Sequence, residues 1–291
     1  MIRIGTRGSA LALAQASWVA SLIEDAELVT ITTSGDRGEN IADKSRWTSE
    51  LERALIAGEI DVAVHSAKDV PGELAEGTTI AAVPERASVL DALSGFAEVA
   101  SITPGARVGT SSIRRIAQLR ALRTDLVFVE VRGNVDTRLR KLASGEVDAL
   151  VLAQAGLERL GRGAEATGLL RELVPAPGQG ALLVQAREDD AATLASLATV
   201  NDEAAERCVM SERALASSLA ATCNTPLGAL AVPDSGMDVT LKAWVGLPDG
   251  SHWIADEVTG RFDEVGATMA ERMCAVGAHD LLAIAEAMAL A

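Results

Sequence analysis

Alternating strand and helix patterns predict an α/β protein with mixed, mainly parallel sheets, closed by a smaller C-terminal α+β domain with a small antiparallel sheet. Three observations carry that expectation. Short apolar runs alternate with helical segments as far as Gln185, the pattern changes from Asp202 onward, and 291 residues suit two or three domains better than one core. Hydrophobic residues make up 48% of the chain and aromatics 2%, with no tyrosine, so the core is expected from Ala, Leu, Val and Ile.

Taken in order, Ile2–Gly5 reads as a strand, Ser9–Asp25 as a helix and Leu28–Thr33 as a strand. Ser34–Arg46 is polar and aperiodic, which predicts a mobile loop. Ser49 followed by Glu52 has the form of a capping box opening a helix that Gly58 ends. Asp61–Val64 is a buried strand running into His65-Ser66-Ala67-Lys68-Asp69. The rhythm then restarts, with strands at Arg107–Gly109, Leu126–Val131 and Asp148–Leu152 and helices at Ile113–Arg123 and Val135–Ser144. Pro175-Ala176-Pro177-Gly178 reads as a hinge before a strand at Ala181–Gln185. Beyond it come a long helix (Glu203–Leu219), a loop (Ala220–Pro226), strands at Leu227–Val232, Val239–Val245 and His252–Thr259 with an Asp249-Gly250 turn, and closing helices. No internal repeat is evident.

Charge narrows the partners. A formal net charge of −15 opposes nucleic acid and anionic membranes, and the scarcity of rings argues against a platform for stacked bases. Between Arg107 and Lys141, however, nine basic residues face three acidic ones, which suits a small, multiply charged anion. Arg120, Arg123, Arg140 and Lys141 are expected on solvated helix faces. Cys208, Cys223 and Cys274 lack metal-site spacing, so no metal is expected, and Cys208 and Cys274 read as small buried hydrophobes in helices. With no signal-peptide pattern and no membrane-length apolar run, a cytoplasmic location is expected; a monomer is expected too, on no residue pattern of its own.

In open α/β sheets, ligands gather beyond the carboxyl ends of strands, against helix N-termini. Four segments have that form: Gly5 to Ser9, His65 to Asp69, Gly109 to Arg115, and Arg132 to Arg138. Arginine in a first helical turn opposes the helix dipole, so Arg114, Arg115 and Arg138 are poorly placed for helix stability and well placed for a carboxylate.

These same segments resemble the porphobilinogen deaminase family. The resemblance lies in Thr6-Arg7-Gly8-Ser9, His65-Ser66-Ala67-Lys68-Asp69-Val70-Pro71, Gly109-Thr110-Ser111-Ser112-Ile113-Arg114-Arg115, Arg132-Gly133-Asn134-Val135-Asp136-Thr137-Arg138, Leu152 to Gly161 and Gly178-Gln179-Gly180-Ala181. It implies two lobes like those of periplasmic anion-binding proteins, residues 1–87 with 178–200 and residues 88–177, then a third domain, 201–291, bearing a cofactor cysteine. The implied reaction joins four porphobilinogen molecules head to tail, with loss of ammonia, on a covalent dipyrromethane primer to give hydroxymethylbilane for tetrapyrrole and heme synthesis.

The resemblance also implies roles. Cys223 holds the dipyrromethane as a thioether, and Lys68, Ser112, Arg114, Arg115 and Arg138 bind its carboxylates. Arg7, Ser9, Lys44, Thr110, Arg132 and Arg159 bind those of the substrate. Asp69, the only acid in its motif, is the expected catalytic group, stabilising the electron-poor azafulvene left by ammonia; a helix cap paired with Lys68 is the plainer alternative. His65 reads as structural. Two departures stand out. Ala220-Ala221-Thr222 precedes Cys223 where the family usually has Glu-Gly-Gly, and Asp43-Lys44-Ser45-Arg46-Trp47 occupies a shortened loop that usually holds Gly-Lys-Gly-Leu-Phe. Rival readings are a non-enzymatic anion binder on the same lobes and a deaminase unable to load its primer.

Overall fold

The computed structural model describes residues 1–31, 45–222 and 224–290. The chain runs β1 (Ile2–Arg7), α1 (Ala10–Ala20), β2 (Ala26–Ile31), α2 (Ser45–Ile56), β3 (Val62–Ser66) and β4 (Thr78–Ala82). It continues through β5 (Asp91–Ser94), β6 (Arg107–Gly109), α3 (Ile113–Leu122), β7 (Val127–Val129), α4 (Val135–Ala143), β8 (Ala149–Ala153), α5 (Gln154–Arg159) and β9 (Gly168–Leu170). Then come β10 (Leu182–Arg187), α6 (Ala191–Leu197), α7 (Glu203–Ser218), β11 (Leu227–Pro233), β12 (Asp238–Gly246), β13 (Trp253–Arg261), α8 (Val265–Ala275) and α9 (Ala278–Leu290).

Two five-stranded sheets share one topology, β2-β1-β3-β10-β4 and β7-β6-β8-β5-β9. In each, a single strand opposes the rest: β10 is antiparallel to β3 and β4, and β5 to β8 and β9. Those two strands lie at the crossings between the sheets. The chain enters the second sheet through β5 and returns to the first through β10. The third sheet is the antiparallel β11-β12-β13, with α7, α8 and α9 packed on it.

The likeness between the first two sheets reaches single residues. Arg3 grips Asp61 through its backbone N–H, Nε and Nη2, and Arg107 grips Asp148 with the same three donors. Arg3-Ile4-Gly5-Thr6 corresponds to Arg107-Val108-Gly109-Thr110, and Gly58-Glu59-Ile60-Asp61 to Gly145-Glu146-Val147-Asp148. This repeat corrects the expectation of none. Each copy is only a few residues long, so it emerges when the strands are superposed in topology rather than along the chain. Gly5 and Gly109 sit where no side chain fits: an added Cβ would lie 2.2 Å from Ile60 Cδ1 or 2.7 Å from Leu150 Cδ2.

The cores are aliphatic, as composition requires. Ile4, Val62, Val64, Leu182 and Val184 fill one face of the first sheet, Leu93, Val108, Leu119, Ala149 and Val151 that of the second, and Leu215, Leu241, Val245, Met269 and Met273 the third core. Ala117 of α3, Val174 and Trp244 of β12 form a small cluster joining the second sheet to the third.

Several expectations need correction. α2 begins at Ser45, so Ser45-Arg46-Trp47 is helical rather than loop, and Ser49 lies inside the helix rather than capping it. Glu52 turns inward, accepting from Ala75 N at 3.2 Å and Gln185 Nε2 at 3.0 Å. The first helix ends at Ala20, where Ser21 closes it. Cys208 is buried but Cys274 is exposed, because it lies on the outer side of α8. Arg120 is not simply solvated: it donates to Pro248 O at 3.1 Å and lies over the Phe128 ring. Arg123 likewise donates to Val99 O and Ile102 O. Among the described residues no helix is long and apolar enough to cross a membrane.

Candidate active site

β3 is buried over Val62–His65 and ends in a single 3-10 turn, Ala67–Asp69, which carries Lys68 and Asp69 beyond the strand's carboxyl end. Ala67 anchors that turn by donating to Ala181 O at 3.1 Å. Gly178, at φ +73, packs so closely that a Cβ would lie 2.8 Å from that of Ala67. His65 is buried and bonded to Gln185 Oε1 at 3.0 Å. Burial lowers its pKa to about 4, so it is neutral at pH 7 and serves the structure.

The equivalent strand end of the second sheet is built differently. By the repeat, Asp69 corresponds to Gly156 in α5, where a Cβ would come 3.9 Å from Leu11 of α1. One copy therefore presents a carboxylate, while the other packs against α1.

The cations arrive from the second sheet. Thr110 is buried, and its Oγ1 accepts from Ser112 N at 3.2 Å. Ser112 caps α3, with Arg115 N at 3.5 Å from its Oγ. Arg114 and Arg115 are buried, at 4% and 6% exposure, and share the single carboxylate of Asp91: Arg114 Nη2 lies 2.8 Å from Oδ2, and Arg115 Nη2 2.7 Å from Oδ1. Burial works to raise the Asp91 pKa, yet the two guanidiniums prevail and hold it well below the usual carboxylate range. Among the described residues, two cations meet one anion here. Arg114 Nε is also buried without a hydrogen-bond partner.

Arg138, in the first turns of α4, donates through Nε to Gly133 O at 2.8 Å. Burial and repulsion from Arg115 lower its pKa, while attraction to Asp69 opposes them, which places the three charges in one field across the two sheets. Arg159 donates to Gly180 O at 2.7 Å, and burial lowers its pKa to about 10. Neither Arg138 nor Arg159 makes an ion pair among the described residues. Ser9 caps α1, accepting from Ala12 N at 3.3 Å, and Arg7 is half-buried at the end of β1. Arg132 is exposed and paired with Glu130 at 2.7 Å. Lys44 and Cys223 lie outside the described residues. No group of His, Cys, Asp and Glu able to hold a metal occurs among the described residues.

Residues 2–195 match the porphobilinogen deaminase dipyromethane cofactor binding domain, and residues 206–275 the porphobilinogen deaminase C-terminal domain. The chain belongs to the porphobilinogen deaminase family. It is 42% identical to the porphobilinogen deaminase of Deinococcus radiodurans over 97% of each chain. It is 45% identical to that of Rubrobacter xylanophilus over 96% of this chain and 95% of the relative. The donor set fits the family's cofactor. A dipyrromethane bears carboxylates, and buried guanidiniums that outnumber their ion-paired carboxylate among the described residues are suited to receive them.

Sequence reasoning missed the groups behind this front row. Asp91 carries no motif, only a lone acid opening a fully buried strand. Gln179, within a recognised string, proves to bind Asp91 Oδ1 at 3.0 Å and Val89 O at 2.7 Å. Arg86 and Glu212 pair across 126 positions of sequence, and no local pattern marks either.

Proposed function

We propose that this chain joins four porphobilinogen molecules head to tail, releasing ammonia at each addition, on a covalently held dipyrromethane, and yields hydroxymethylbilane for tetrapyrrole synthesis. The observation that carries this reading is the set of buried and half-buried guanidiniums, Arg114, Arg115, Arg138 and Arg159, whose one ion-paired carboxylate among the described residues is Asp91. Each added ring brings an acetate and a propionate, and a fixed cationic lining neutralises them at little reorganisation cost.

Cys223 holds the dipyrromethane as a thioether, and Lys68, Ser112, Arg114, Arg115 and Arg138 take its carboxylates. When bound, that group supplies the pyrrole carbon to which the first substrate is joined. Arg7, Ser9, Lys44, Thr110, Arg132 and Arg159 receive substrate and growing chain. Asp69 accepts the pyrrole N–H, offsets the positive charge that develops as ammonia leaves, and takes part in proton transfer. Arg138, coupled to Asp69, keeps that carboxylate and the substrate acids in register. Residues 1–87 with 178–200 make one lobe, 88–177 the second and 201–291 the third domain, a division supported by the passage between sheets at β5 and β10. A monomer in the cytoplasm, without nucleic acid or membrane, is consistent with a cleft built from one chain of net charge −15.

Intact mass spectrometry tests the reading. The purified protein is expected to exceed its sequence mass by two linked pyrroles, with the adduct on the peptide containing Cys223. Asp69→Ala is expected to carry the adduct yet lose nearly all turnover. A chain with no adduct, and unable to gain one from porphobilinogen, would sink the proposal.

A further inference from the structure

The segment leaving Asp69 is held by the third domain. Arg213 of α7 donates through Nη1 to Val70 O at 3.2 Å, and through Nη2 to Pro71 O at 2.7 Å and Gly72 O at 3.1 Å. Those are three consecutive carbonyls immediately beyond the catalytic turn. Arg213 makes no ion pair among the described residues, and burial lowers its pKa. A half-buried guanidinium whose hydrogen bonds among the described residues all go to backbone carbonyls is a specific fastening for a loop.

The rest of α7 agrees. Ala205, Val209, Arg213 and Ser217 recur every four residues and so share one face of the helix. Ala205 and Val209 pack in one cluster with Ala67 and Val70, which bracket Asp69 in the chain, and Ser217 Oγ lies 3.6 Å from where a Gly72 Cβ would be. The stripe is apolar beside the turn and polar beside the exit segment. Opposite it, Val70 N closes the turn on Ala67 O at 3.3 Å. The adjacent Glu212 faces the inter-lobe crossings instead, accepting from Gly178 N.

We propose that Arg213 is a positioning residue for Asp69: by fixing the carbonyls of Val70, Pro71 and Gly72 it sets where the Asp69 carboxylate stands relative to the second lobe. The third domain thereby takes part in the chemistry through α7 as well as through its cysteine. The inference rests on the reading of Asp69 as the catalytic acid.

Arg213→Met removes the donors and keeps the aliphatic stem. The expected variant folds, carries the dipyrromethane mass and shows faster amide exchange at Val70. Its kcat falls about tenfold or more while KM stays within about twofold, since small misplacement of a reacting group is costly in rate. Arg213→Lys, which can still reach part of the carbonyl row, recovers some of the loss. Unchanged kcat in Arg213→Met, with wild-type protein active and Asp69→Ala inactive, overturns the proposal. An equal fall in all variants that tracks lost cofactor mass or lost folding overturns it too, making Arg213 a stability residue. If wild-type protein does not turn over porphobilinogen, or Asp69→Ala does, the fault lies in the functional reading itself.

Discussion

The Glu212 carboxylate and the Arg86 guanidinium form a two-pronged pair, at 2.8 and 3.0 Å, with Glu212 fully buried. The same carboxylate accepts from Gly178 N at 2.6 Å and Ala231 N at 2.8 Å. One side chain of α7 thus touches both crossings between the lobes and the first strand of the third sheet. All its oxygens are used, which is the condition under which a buried pair is tolerable.

Glu212→Gln would leave Arg86 without its countercharge and one backbone donor without an ideal acceptor. A loss of about 3–5 kcal/mol is expected, as when one partner of a buried ion pair is removed. Urea unfolding measures it, and a loss below about 1 kcal/mol would show that Arg86 finds another partner.

Asp91→Asn is expected to cost a similar amount, about 3–5 kcal/mol, because two interior guanidiniums lose the one anion that pairs with them among the described residues. Excess porphobilinogen should restore part of that stability if its carboxylates enter the same field. A melting temperature that porphobilinogen raises equally in wild type and variant would contradict this placement.

Ala220 is in the left-handed region at φ +49, where Ala220 N bonds Ser217 O and Ala221 N bonds Ala216 O to close α7. Glycine adopts that conformation without the Cβ penalty. Ala220→Gly should therefore stabilise the protein by about 0.5–1 kcal/mol, less the added freedom of the unfolded chain. A destabilised variant would show that the Ala220 methyl makes contacts that matter.

His65 links stability to acid. Its folded pKa of about 4 lies below the ordinary 6.5, so the unfolded chain binds the extra proton between those values. The contribution is present above pH 6.5 and is lost as pH falls toward 4, by about 3 kcal/mol in all. His65→Gln should flatten the fall in urea midpoint across that window. An unchanged slope would assign the acid sensitivity elsewhere.

The strand ends and their polar strings were legible because each is local. A glycine after a buried strand, then a hydroxylic residue, then arginines, states its geometry within seven positions, and Gly109 to Arg115 forms that strand-to-cap-to-helix unit. The capping box at Ser49 misled because α2 already begins at Ser45, which puts Ser49 inside the helix. The short repeat centred on Arg3–Asp61 and Arg107–Asp148 escaped because pairing, not proximity in sequence, defines it.

By itself the chain's order of residues determined the alternation of strands and helices, the aliphatic cores and the family of the strand-end strings, since these depend on neighbours a few positions apart. Only the tertiary structure decided that Arg114 and Arg115 share Asp91, that Arg138 feels Asp69 across two sheets, and that Arg213 grips the segment after it. The physical reason is that charge acts through space. A buried ion's partner is chosen by which groups lose water together, and that is settled when distant strands pack.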